Sequence, residues 1–206
     1  MEFRFADLKH PDRYKLMIGT IQPRPIAWVS TLSADGVRNL APFSFFTAVC
    51  SEPPTIVFCP GVQTSTGSEK DSLRNIRETG EFVINVVSEA VAEAMNITST
   101  DLPHAVDEFE LAGVTPLASS LIKPPRVAES PVSMECRLSQ LVTVNENVGG
   151  GWLVIGEILV MHVADEVYIP DFKIDTLKMR PVGRLAGAGY SHTYDLFDMP
   201  RPKPQI

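Results

Sequence analysis

Two stretches of this chain carry residue types suited to hold a planar, phosphate-bearing molecule. The first is Asn39-Leu40-Ala41-Pro42-Phe43-Ser44-Phe45-Phe46, where three phenylalanines in four positions adjoin a proline and a serine. Flat apolar surface beside backbone amides and a hydroxyl suits a ring that stacks and hydrogen-bonds at once, as a flavin does. The same three side chains also suit the core of a strand, since large apolar groups are mostly buried for packing. The second stretch is Thr64-Ser65-Thr66-Gly67-Ser68-Glu69-Lys70-Asp71-Ser72, in which small hydroxyl residues run into a helix start. Unpaired amides and the positive end of the helix dipole favour an anion there, and Lys70 adds a mobile positive charge.

A third stretch, Arg180 to Tyr190, is rich in glycine and carries two arginines and a tyrosine. It reads either as part of a site or as a closely packed loop. No Gly-x-Ser-x-Gly elbow and no paired nucleophile and base stand out, so hydrolysis is poorly supported. A cofactor-dependent reaction fits that pattern, because the cofactor performs the chemistry and the protein supplies position and electrostatics. Cys50, Cys59 and Cys136 show neither Cys-x-x-Cys nor zinc-finger spacing and read as small buried apolar residues. The four histidines are scattered, with no helical i, i+4 pair to hold a metal.

The elements that must position these stretches are mostly strands. Pro25 to Leu32 is rich in β-branched and aromatic residues, and Ser33-Ala34-Asp35-Gly36 supplies a turn in which Gly36 takes positive φ. A second strand is expected from Asn39 to about Val49, with Pro42 marking an edge, a bulge or a break. Pro53-Pro54 ends it and Thr55 to Cys59 begins another. A short helix follows, with Ser68 and Asp71 as a capping box, Leu73 and Ile76 on one face and Gly80 as its stop. Phe82 to Val87 is an apolar strand. Ser88 to Gly113 is helical in pieces divided at Pro103. Val132–Leu138, Gln140–Asn145 and Leu153–Val163 are further strands, the last two joined through a triple-glycine turn. Short strands with helices inserted, not alternating, argue for a mainly β, closed or partly closed barrel.

Composition bounds the rest. At 206 residues with 44% hydrophobic content, one compact domain over 1–206 is expected, with an extended tail from about residue 198. A formal charge of −7 without a basic cluster argues against a nucleic-acid partner. No apolar run approaches the ~18 residues of a membrane span, and the N-terminus lacks the order of a signal peptide, so a soluble cytoplasmic protein is expected.

Taken in order, Pro23-Arg24-Pro25-Ile26-Ala27-Trp28-Val29-Ser30-Thr31, Asn39 to Phe46, Pro53-Pro54, Lys70 to Ile76 and Glu81-Phe82-Val83-Ile84-Asn85 resemble the flavin reductase-like, FMN-binding split-barrel family. Glu129-Ser130-Pro131-Val132, Ile155-Gly156-Glu157 and Arg184 to Tyr190 agree with it. The resemblance implies a six-stranded Greek-key split β-barrel with inserted short α-helices that dimerises and binds FMN, with FAD as the alternative. By position, the backbone of Ala41, Pro42, Phe43, Ser44 and Phe45 and the Ser44 hydroxyl would line the ring, with Asn39 and Ser30 nearby. Ser65, Lys70, Asp71 and Ser72 would surround the phosphate and ribityl end; Tyr190 and His192 read either as residues that close over the open face or as structural ones. The implied activity is an NAD(P)H-dependent flavin reductase, taking hydride from NADH or NADPH and serving a monooxygenase or another electron-acceptor protein. A flavoredoxin-like FMN electron carrier and a non-catalytic flavin-binding protein are the alternatives.

Overall fold

A computed structural model describes residues 1–63, 67–202 and 204. Helix α1 (His10–Thr20) leads into strand β1 (Ala27–Leu32), which is buried on both faces. Its side chains divide by parity: Ala27 and Val29 enter one apolar core and Trp28 the other. Two covered faces explain why this strand lacks apolar–polar alternation. The turn at Gly36, with φ 85°, reverses the chain into β2 (Arg38–Phe43), which places Pro42 opposite Trp28. The Leu40 amide points away from β1 and donates to Glu108 Oε2 at 3.1 Å. Alternation puts the Pro42 nitrogen on that same outer side, where the missing N–H removes no ladder bond.

The chain then leaves β2 at Ser44-Phe45, and β3 (Phe46–Ser51) pairs with β4 (Pro54–Phe58). This corrects the expected continuous strand from Asn39 to about Val49. After helix α2 (Asp71–Thr79) come β5 (Glu81–Val86), helices α3 (Ala92–Ile97) and α4 (Glu108–Ala112), and a short pair, β6 (Pro116–Leu117) and β7 (Arg126–Val127). The long hairpin of β8 (Val132–Asn145) and β9 (Gly151–Val163) completes a seven-stranded antiparallel sheet in the order β2-β1-β5-β8-β9-β4-β3. There are seven strands where six were expected, because the proline-bearing segment contributes one to each edge. Since β2 and β3 are consecutive in sequence yet lie at opposite edges, the sheet must curl until its edges are a two-residue link apart. The fold is thus mainly β, with a large antiparallel sheet and a few short helices.

The rings of Phe43, Phe58 and Phe82 fill the inside of the curl, with centroids 5.1 and 5.6 Å apart for successive pairs. The fully buried Leu73 and Ile76 of α2 join this core. Outside the sheet, Trp28, Leu40, Met95 and Phe109 form a second core beneath α3 and α4. Gly156 of β9 faces the inner core closely. A Cβ there would meet Phe82 Cζ far inside van der Waals contact, with Cε1 at 3.0 Å and Arg137 O at 3.3 Å. Gly156→Ala is expected to destabilise the fold by about 1–3 kcal/mol through overpacking, read from its urea midpoint; a wild-type midpoint refutes the contact.

Three local expectations are corrected. Ser68 does not stand at the N-cap of α2: its hydroxyl donates to Gln63 Oε1 at 3.1 Å, and Lys70 holds the N-cap without a side-chain capping bond. Asp71 is already the first helical residue, too early to close a capping box. Val132–Leu138 and Gln140–Asn145 are one strand, with a register shift between Leu138 and Gln140 where a break was read. Cys50 is exposed on β3, whereas Cys59 is half-buried and Cys136 buried. Gly80 does end α2, with φ 72° and its N–H on Ile76 O at 2.8 Å.

Candidate functional site

A cleft lies between the outer edge of β2, the start of α2 and the loop joining α3 to α4. Each wall has its own anchor. Trp28 of β1 donates through Nε1 to Thr98 Oγ1 at 2.9 Å, which fixes the loop after α3. Asn39 Nδ2 donates to Ser72 Oγ at 2.8 Å, which ties β2 to α2. Glu108 ties α4 to β2 through the Leu40 amide. The cleft wall therefore rests on side chains that are themselves buried.

Charge is arranged unevenly around the cleft. Lys70 Nζ reaches across the mouth to Asp101 Oδ1 at 3.0 Å. Asp71 Oδ1 is met by Arg74 Nη2 at 2.5 Å and lies 3.3 Å from His104 Nδ1. Burial pushes the Glu108 carboxyl up to about 7, against the pull of its own amide and that of Leu40, with Asp71 and Asp107 adding repulsion.

Of the residues singled out from sequence, Asn39, Ala41, Pro42, Phe43, Lys70, Asp71 and Ser72 line this one cleft. Ser65 lies outside the described residues. Ser30 is buried elsewhere, its hydroxyl donating to Pro125 O at 2.5 Å. Ser44 and Phe45 continue from the cleft wall towards Arg24, whose Nε is 3.4 Å from Ser44 Oγ and whose guanidinium carbon is 5.9 Å from the Phe45 centroid. Tyr190 sits under Arg184 at 4.6 Å, and its hydroxyl donates to Asn96 Oδ1 at 3.3 Å, next to the loop that forms the cleft wall. Sequence reasoning missed Thr98, Ser99, Thr100, Asp101, Leu102 and Glu108. A signal was present: Thr98-Ser99-Thr100 is a second hydroxyl run placed just after a helix and before Pro103.

A curled antiparallel sheet whose proline-bearing edge leaves a hydroxyl-rich cleft is the architecture of a split barrel. The family model for the flavin reductase like domain matches residues 20–173, and the chain belongs to that family. An uncharacterized protein of Aquifex aeolicus is 42% identical over 190 residues, spanning 92% of this chain and 94% of that one. Among solved structures, nitrilotriacetate monooxygenase component B from Bacillus cereus is 34% identical with a TM-score of 0.91, covering 97% and 98% of the two chains. The 2-nitrobenzoate 2-nitroreductase of Pseudomonas fluorescens is 30% identical with a TM-score of 0.89, covering 98% and 96%. Flavoredoxin of Desulfovibrio vulgaris shares the fold, with a TM-score of 0.74 at 22% identity over 97% of each chain.

The donor set fits a flavin. Lys70 and the first amides of α2 suit a phosphate. The hydroxyls of Ser72, Ser99 and Thr100 suit a polyol, and the Pro42–Phe43 edge offers apolar surface with backbone carbonyls for a ring. Among the described residues no cluster of His, Cys, Asp and Glu could hold a metal ion, and no helix is long and apolar enough to cross a membrane.

Proposed function

We propose that the protein is an NAD(P)H-dependent flavin reductase that uses FMN in the cleft between β2 and α2. One observation carries this reading: Lys70 and the Pro42 edge, distant in sequence and suited to opposite ends of FMN, line the same cleft. FMN is favoured over FAD because the cleft presents one ammonium group at one helix start. Bound flavin supplies the hydride acceptor. The chain supplies position: Lys70 and the α2 amides hold the phosphate, and the β2 edge orients the ring so that a nicotinamide stacks on it. No protein base is needed for hydride transfer, because the cofactor carries the chemistry. The likeness to a monooxygenase component B supports a role as the reductase that serves a partner monooxygenase.

A homodimer belongs to the same reading. It is supported by apolar side chains left exposed on β3, β8 and β9, among them Val49, Val144 and Met161. Sedimentation at micromolar concentration is expected to give twice the chain mass; a monomer refutes it. The central test is the absorption spectrum of the purified protein with FMN before and after anaerobic NADH or NADPH. Bleaching of the flavin bands, and NAD(P)H oxidation that rises with added free FMN, are expected. A yellow protein inert to both nicotinamides makes it an electron carrier. A protein that binds no flavin overturns the reading.

A further inference from the structure

Glu108 stands apart from the other carboxylates of the cleft. It is 7% exposed, opens α4 and lines the cleft with Asn39 and Asp71. Its charged neighbours on α2 and on its own segment are paired. On its own segment, Asp107 is bridged by Arg38 at 2.5 Å and Glu110 by the same guanidinium at 3.3 Å. From α2, Asp71 is held by Arg74 and His104, and Lys70 is engaged with Asp101. From α3 the titratable side chain is Glu93, which is exposed. Among the described residues no cation makes a salt bridge to Glu108; its partner from β2 is the Leu40 N–H. Burial and the carboxylates on two sides outweigh the amide donors that favour the ionised form, so this carboxyl is easily made neutral.

A ligand that covers the cleft would remove the water still near this group. If the ligand also carries a phosphate, it adds a further negative charge to the cleft. Both effects favour the protonated acid. We propose that Glu108 is the proton-accepting group of the cleft: flavin binding draws a proton from solvent onto its carboxyl, which then donates a hydrogen bond to an acceptor on the ligand. The inference rests on the flavin reading. Its consequence is linkage: flavin binding tightens as pH falls through neutrality, and Glu108 acts as a hydrogen-bond donor that selects a ring bearing acceptors at that position.

The test is calorimetric titration of the full chain with FMN at neutral pH, in two non-phosphate buffers of different ionisation enthalpy, for wild type and Glu108→Gln. The glutamine oxygen can still accept from Leu40, and the difference between the proteins cancels protons released by the FMN phosphate. Wild type is expected to take up about half a proton more per FMN than the variant, and its affinity to fall several-fold more from pH 6 to 8. Equal proton uptake overturns the proposal while leaving flavin binding intact. FMN that binds neither protein overturns the flavin reading itself. If Glu108→Gln does not fold, the infrared difference spectrum of wild type on adding FMN decides: a new protonated-carboxyl band supports the proposal, and its absence overturns it. Without ligand, Glu108→Gln gains thermal stability relative to wild type as pH rises from 5 to 8. The native carboxyl binds its proton more tightly than the unfolded one, so wild-type stability declines across that window.

Discussion

Arg24→Met is expected to be the most damaging single change away from the cleft, lowering stability by about 2–4 kcal/mol in denaturant unfolding. The side chain is 5% exposed, and its Nη1 donates to the carbonyls of Ile18 at 2.8 Å and Ile21 at 2.7 Å, at the end of α1. These acceptors belong to the last turn of a helix, where carbonyls lack intrahelical donors and a cation is favoured. Nη2 reaches Leu185 O at 3.0 Å, so the same guanidinium pins the glycine-rich segment. Methionine keeps most of the stem's packing but leaves three carbonyls without this donor, at about 1–3 kcal/mol for each one that water cannot reach. Arg24→Lys recovers part of the loss, since one ammonium cannot span all three. A loss below about 1 kcal/mol in Arg24→Met would show that water replaces the guanidinium, against its burial.

Lys70→Ala is expected to weaken FMN binding by roughly 10- to 100-fold while leaving riboflavin binding within about threefold, since a charge-assisted hydrogen bond contributes about 1.5–3 kcal/mol. The structure sharpens this expectation. Lys70 already bonds Asp101, so an arriving phosphate exchanges with or joins a carboxylate. Removing the lysine alone leaves Asp101 facing the phosphate. Lys70→Ala/Asp101→Asn should therefore bind FMN more tightly than Lys70→Ala, and Asp101→Asn alone more tightly than wild type. Fluorescence quenching titrations of FMN and riboflavin against the four proteins close the cycle. An equal loss of both ligands in Lys70→Ala would place the lysine away from the phosphate.

Local signals carried the regular elements. The β-branched run of β1, the Gly36 turn, the Leu73–Ile76 face of α2 and the Gly80 stop are each dictated within a few residues, and each occurs where the sequence places it. Pro42 correctly announced an edge. What it could not announce was that Ser44-Phe45 would carry the chain to the opposite edge, because that depends on which distant strand accepts Phe46. The same reason hid half of the cleft. Asp101 and Glu108 reach it from a segment without strong periodicity, held there by Trp28–Thr98 and Leu40–Glu108 bonds across about seventy residues of chain. Glu108 also sits at a helix start, where an acidic residue reads as a dipole partner and not as a buried acid.

The two-residue passage between β2 and β3 has a mechanical consequence. A sheet closed by covalent continuity at one corner, with no ladder among the described residues sealing the rest, behaves as a cylinder with a seam. The cleft lies along one lip of that seam, the β2 edge at Pro42, with the start of α2 as its facing wall. A molecule lodged between them does for the free lip what a neighbouring strand does elsewhere in the sheet. Amide exchange in β2 should thus slow more than in β5 when flavin binds, because the ligand completes a wall that the polypeptide leaves open.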